Sequence, residues 1–183
     1  AFVTLFSSGI SRAEVRTQEV PYEQGGARLV GYLAYDGAVT GPRPAVLVVH
    51  EWWGLNDYAK RRTRQLAELG YVAFAADIYG DGTVAKDAKE AGALAGRFRG
   101  GDRALLRERV RAGLEALLNN PLTDRKRVAA IGYCFGGTAV LELARSGADI
   151  AGVVSFHGGL DTPNPTTAGT LKAKDLVIHG ADD

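Results

Sequence analysis

The stretch Val128-Ala129-Ala130-Ile131-Gly132-Tyr133-Cys134-Phe135-Gly136-Gly137 constrains this chain more than any other. An apolar, strand-like run passes into Gly-x-Cys-x-Gly and then directly into a helical pattern over residues 135–145. A strand that turns sharply into a helix brings the two backbones close together, so the positions two before and two after the central residue must be small. Gly132 and Gly136 fill them. Cys134 then projects from the end of a strand at a helix N-terminus, where unpaired N–H groups and the helix dipole favour a thiolate. This is a nucleophile elbow with cysteine as the nucleophile, and the Phe135 N–H is one donor for an oxyanion. A buried cysteine in a glycine-rich turn is the plainer alternative. The strand–turn–helix context favours the elbow.

The surrounding pattern agrees. Residues 16–22 and 27–35 alternate like strands, with Glu23-Gln24-Gly25-Gly26 as a hairpin turn between them. Residues 45–49 form a continuous β-branched run, the mark of a strand buried on both faces. Asn56 or Asp57 can cap a helix running to about Leu69, and Tyr71 to Ala76 reads as the next strand. Residues 81–101 are glycine-rich and fit a loop with a short helix. Asp102 can cap a long helix with Leu106, Val110, Leu114, Leu117 and Leu118 on one face. Residues 127–133, 150–156 and 175–179 complete the strands. Alternation of strand and helix from residue 45 onward predicts a mostly parallel sheet with helices on both faces, whose chemistry gathers at the C-terminal edge of the strands. The arginines Arg97, Arg99, Arg103, Arg107, Arg109 and Arg111 are expected mostly on the solvent side of the long helix.

Composition narrows the possible partners. A net charge of +1 in 183 residues excludes a strongly basic nucleic-acid binder, and 46% hydrophobic residues exclude a disordered chain. One cysteine excludes an internal disulfide and a cysteine-rich zinc site. No run approaches the about 18 to 20 apolar residues of a membrane span. The chain contains no Met and begins Ala1-Phe2-Val3, which reads as a fragment or processed product. Residues 1–13 fit the remnant of a signal peptide, with small residues at Ser11 and Ala13, or a disordered leader ahead of one domain over residues 14–183. The first reading places the protein in the periplasm or outside the cell, the second in the cytoplasm. Oligomeric state is not legible.

Two other strand ends supply candidates. His50-Glu51-Trp52-Trp53-Gly54 follows the run at 45–49, so the Trp52 N–H is a second oxyanion donor and Glu51 stands within reach of the thiol. The segment His179-Gly180-Ala181-Asp182-Asp183 ends the last strand with a carboxylate at the same edge. By spacing, Asp183 is the acid that orients an imidazole, with Asp182 the fallback. Chain order puts the histidine after the acid, so the working histidine is expected beyond Asp183 and the domain incomplete at its C-terminus. His50 and His179 read as satisfied by backbone groups. His157 is the one local competitor for the base.

Taken with Ala76-Asp77-Ile78-Tyr79-Gly80, these segments resemble the dienelactone hydrolase family of the α/β-hydrolase fold over residues 16–183. The resemblance implies a Cys-Asp-His triad and hydrolysis of an enol lactone or related ester, with no metal or cofactor. It assigns Cys134 as nucleophile and Asp183 as acid, with Trp52 and Phe135 as oxyanion donors. Glu51 corresponds to the glutamate that holds the resting thiol, and Trp53, Tyr79 and His157 fall near the substrate pocket. Prototype members carry a carboxylate-gripping arginine just after Asp-x-Tyr. Gly80 stands there in this chain, which points to a different ester. A glutamine-amidotransferase-like enzyme and a redox-sensing cysteine protein are the alternatives; the first lacks the His-Glu-Trp-Trp pattern.

Overall fold

The computed structural model describes residues 13–165 and 169–181. The leader reading of residues 1–12 and the assignments of Asp182 and Asp183 lie outside the described residues.

Strands β1 (Val15–Gln24) and β2 (Ala27–Asp36) form an antiparallel hairpin. Its loop is shorter than expected. Gln24 still pairs with Ala27, and only Gly25 and Gly26 turn the chain, both at positive φ. That is the two-residue geometry matching strand twist, which glycine adopts without steric penalty. Then follow β3 (Arg43–Val49), α1 (Asp57–Glu68), β4 (Val72–Ala76), α2 (Ala88–Arg99), α3 (Ala104–Leu118), β5 (Thr123–Tyr133), α4 (Phe135–Arg145), β6 (Gly152–Phe156) and β7 (Lys174–Ile178). The sheet order is β1-β2-β4-β3-β5-β6-β7. The β1-β2 and β2-β4 pairs are antiparallel and the rest parallel, giving an open, mostly parallel sheet.

The apolar run of β3 splits by period two. Ala45, Leu47 and Val49 face a core built with Leu106, Val110, Leu114 and Leu117 of α3 and Val140 of α4. Val46 and Val48 face the other way, with Ala75 and Leu66 of α1. Helices therefore cover both faces, which is why the run shows no polar alternation. Asn56 rather than Asp57 caps α1, its side chain accepting from the N–H groups of Tyr58 and Ala59. The ambiguous segment contains the three-turn helix α2, capped by Asp87 through the Glu90 N–H.

Two expectations are corrected. Arg103, not Asp102, is the N-cap of α3, at φ 56, although the Asp102 carboxylate still accepts from the Ala104 N–H at 3.0 Å. The arginine cluster is not a uniform solvated face either. Arg97 and Arg99 belong to α2, and Arg103 and Arg109 are buried. The cause for Arg103 is Glu142 on α4, itself 1% exposed, which accepts from Arg103, Arg107 and Arg145. A buried carboxylate must be paired, and α3 packs so that its arginines reach it.

Candidate active site

Parallel register aligns the strand ends. Val49 pairs with Ala76 and Gly132, Tyr133 with Phe156, and Phe156 with Ile178. His50, Asp77, Cys134, His157 and His179 thus each follow a strand at one edge of the sheet.

Cys134 sits at φ 52, ψ −114 between β5 and α4, a conformation that L-residues rarely adopt. The Cys134 N–H donates to the Phe156 carbonyl at 2.8 Å, and its own carbonyl accepts from Gly137 N–H at 2.9 Å. The tight turn holds the backbone there. A Cβ on Gly136 would stand 2.2 Å from the Val49 carbonyl oxygen, so β3 and the first turn of α4 touch backbone to backbone. Cys134 is half-buried and free.

The thiol opens on a cavity of about 390 Å³, lined among others by Arg99, Phe135, Thr138, His157, Leu160 and His179. Phe135, the first residue of α4, is buried with its ring among His50, Tyr79 and Phe98. His157 stands at φ 57, its N–H donating to the Ile178 carbonyl, and its ring lies 6.2 Å from that of His179. A neighbouring cavity of about 490 Å³ is lined by Trp52, Gly96, Arg99, Arg103 and Asp161. Arg99 borders both.

Trp52 is partly buried, and its carbonyl accepts from the Tyr79 hydroxyl at 2.8 Å. Tyr79 is buried and does not line the cavity at Cys134. Burial first, and then the charge of Cys134, push its hydroxyl above the ordinary phenol range. The Trp53 ring lies 5.3 Å from that of Trp52, and its carbonyl accepts from Ala85 N–H. Glu51 makes no side-chain hydrogen bond to Cys134 among the described residues. Its charge acts on Tyr133 and Arg62.

His50 is fully buried. Its Nδ1 lies 2.6 Å from the Glu51 carbonyl, and its Nε2 accepts from the Ile78 N–H at 3.4 Å. Burial holds this imidazole below its ordinary value, so it is a neutral structural bridge between the ends of β3 and β4. Asp77, also buried, accepts from the N–H groups of Val30, Gly80 and Gly82 and so fixes the turn after β4. Gly80 occupies that turn at φ 103.

Sequence reading missed Arg99, Thr138, Gly159 and Leu160 as cavity residues and passed over His179. Thr138 had a signal. It lies four residues after Cys134, one helical turn along, and so on the same side of α4. Arg99 had none, because the glycine-rich segment fitted a short helix without fixing its bounds, and its distance from Cys134 depends on how α2 packs. No cluster of three or more His, Cys, Asp or Glu suited to a metal occurs among the described residues. No helix there is long and apolar enough to cross a membrane.

Comparison with known proteins places this geometry. A solved structure named m3DLH superposes with a TM-score of 0.87 at 44% identity, covering 92% of this chain and 70% of that one. A dienelactone hydrolase-like promiscuous phosphotriesterase from metagenomic libraries superposes with a TM-score of 0.83 at 45% identity, with the same coverage. Among curated relatives, Protein usf of Aquifex pyrophilus is 31% identical over 145 residues, which are 77% of this chain and 61% of the relative. The chain thus spans less than two thirds of that relative's length. The family model for dienelactone hydrolases matches residues 29–183, from the second strand through the elbow to the last residue, and the chain therefore belongs to the dienelactone hydrolase family, with its α/β-hydrolase fold.

Proposed function

We propose that the protein hydrolyses an enol lactone or another carboxylic ester through an acyl-cysteine intermediate. The observation that carries this reading is Cys134 itself. It is a lone thiol held at positive φ between a central strand and a helix N-terminus, open to a cavity beside the Phe135 N–H.

The Cys134 thiolate attacks the carbonyl carbon and forms the C–S bond as the carbonyl electrons move onto oxygen. That oxyanion lies between the Phe135 and Trp52 N–H groups, where losing one donor typically lowers the rate by about 10²–10³. The tetrahedral species collapses, the C–O bond to the leaving group breaks, and an imidazolium protonates the departing oxygen. The imidazole then takes a proton from water, which attacks the thioester and returns the thiolate. Asp183 orients the imidazole in this reading. The base is a histidine placed after the acid in chain order, with His157 the alternative inside the chain. Glu51 holds the resting thiol once its side chain turns toward Cys134.

The test is Cys134→Ala in the full-length protein with an activated aryl ester. Turnover falls by at least about 10³ while circular dichroism and melting are unchanged, and the unmodified protein shows an added acyl group by intact mass. Retained turnover in the alanine variant overturns the reading. Sulfenic acid formation without ester turnover favours the redox-sensing alternative instead.

A further inference from the structure

We propose that the cavity at Cys134 takes a substrate bearing a carboxylate, held between the Arg99 guanidinium and the Thr138 hydroxyl. This deepens the ester-hydrolase reading and rests on it for the reaction, though not for the binding of the anion.

Arg99 ends α2 and lines the same cavity as Cys134. Its arginine neighbours are engaged elsewhere. Arg103 binds Glu142 and Asp161, Arg107 binds Glu142 and the Asp102 carbonyl, and Arg111 binds Ser146. The Arg99 carbonyl accepts from Arg103 Nε at 3.3 Å, but the Arg99 guanidinium makes no hydrogen bond or ion pair among the described residues. An exposed cation facing a nucleophile's cavity without a counter-charge is a ready partner for an anion.

Thr138 supplies the second, independent observation. It is 1% exposed and lines the cavity, yet its hydroxyl has no hydrogen-bond partner. A buried hydroxyl left unpaired is unfavourable, and an acceptor on a bound molecule removes the penalty. The two groups converge. A Cβ on Gly159 would stand 3.2 Å from Thr138 Oγ1 and 3.3 Å from Arg99 Nη2. Asp161 Oδ1 would stand 3.1 Å from the same point. That carboxylate is already matched, since Arg103 binds its other oxygen and also the Asp161 carbonyl. No carboxylate lines the cavity among the described residues. The cation enters from the last turn of α2, so this anion subsite does not depend on the turn after β4, where Gly80 stands.

The test uses two alkylating agents of nearly equal size, iodoacetate and iodoacetamide, which differ in charge. The chain has one cysteine, so label uptake reads Cys134 alone. Arg99→Gln lowers the iodoacetate rate about tenfold relative to iodoacetamide, Arg99→Lys keeps most of the preference, and added salt weakens it in the unmodified protein. Thr138→Val lowers the same ratio about threefold. A ratio unchanged in Arg99→Gln, or equal loss with both reagents, overturns the proposal. A parallel comparison of an aryl hydrogen glutarate with the aryl pentanoate tests the consequence for turnover. There Arg99→Gln lowers kcat/KM for the charged ester about tenfold and leaves the neutral one within about threefold. Alkylation needs no turnover, so a failed esterase reading appears as absent hydrolysis with the charge preference intact.

Discussion

Gly132 and Gly136 meet across the turn that carries Cys134, so closely that a Cβ on Gly132 would stand 1.9 Å from the Gly136 carbonyl oxygen. The obstructing atoms are backbone and cannot rotate away. Gly132→Ala and Gly136→Ala are each expected to lower the unfolding free energy by more than about 3 kcal/mol, or to prevent folding. Gly96, inside α2 with nothing within 4 Å of its Cβ position, is the control. Gly96→Ala is neutral or stabilising by about 0.5–1 kcal/mol, because alanine loses less backbone entropy in a helix. Urea unfolding of the three variants checks the contrast.

Asp77 accepts three backbone N–H bonds with no exposed surface of its own. Asp77→Ala strands three donors at the turn after β4 and is expected to lower stability by about 3 kcal/mol. Asp77→Asn keeps one acceptor oxygen and loses less. Denaturant midpoints at constant m-value separate the two.

Glu142 joins three arginines, and two of them also grip the loop after β6. Arg145 donates to the Leu160 carbonyl and Arg103 to that of Asp161. Glu142→Ala removes the buried counter-charge of Arg103, leaving it only the exposed Asp161 carboxylate, and is expected to lower stability by about 3 kcal/mol, against about 1 kcal/mol for Arg145→Ala, whose side chain reaches solvent. Hydrogen exchange across residues 158–161 rises in both variants.

His50 gives a pH signature. Burial lowers its folded value, so the unfolded chain binds the proton more readily. The neutral ring's contribution is fully present above the ordinary imidazole value of 6.5 and is lost as pH falls below it toward the lowered folded value. The melting temperature should therefore fall on acidification through that window. In the folded protein the His50 ring signals in NMR should be mostly those of a neutral imidazole at pH 6.5, where an unperturbed histidine is half protonated.

Much of the architecture was legible because its causes are local. The β-branched run at 45–49 needs apolar neighbours on both faces. The glycines around Cys134 report a contact no side chain survives, and Asn56 and residues 135–145 carry their own capping and helical signals. The bounds and length of helix α2 were not legible, because glycines at 92, 96 and 100 and apolar positions filled mostly by alanine blur the face that buries Ala91, Ala95 and Phe98. The burial of Arg103 was hidden for another reason. Its partner Glu142 lies 39 residues away on another helix.

The sequence by itself determined the strand–turn–helix at Cys134, the strands that feed the same sheet edge, and thereby the family. Only the tertiary structure decided what surrounds the thiol. Arg99 ends one helix, Thr138 lies in the first turn of another, and Leu160 rides on a loop held by Arg145. Backbone demands are written in adjacent residues, so they can be read one segment at a time. A pocket is a property of distances between segments, and those are set by how α2, α3 and α4 share one core.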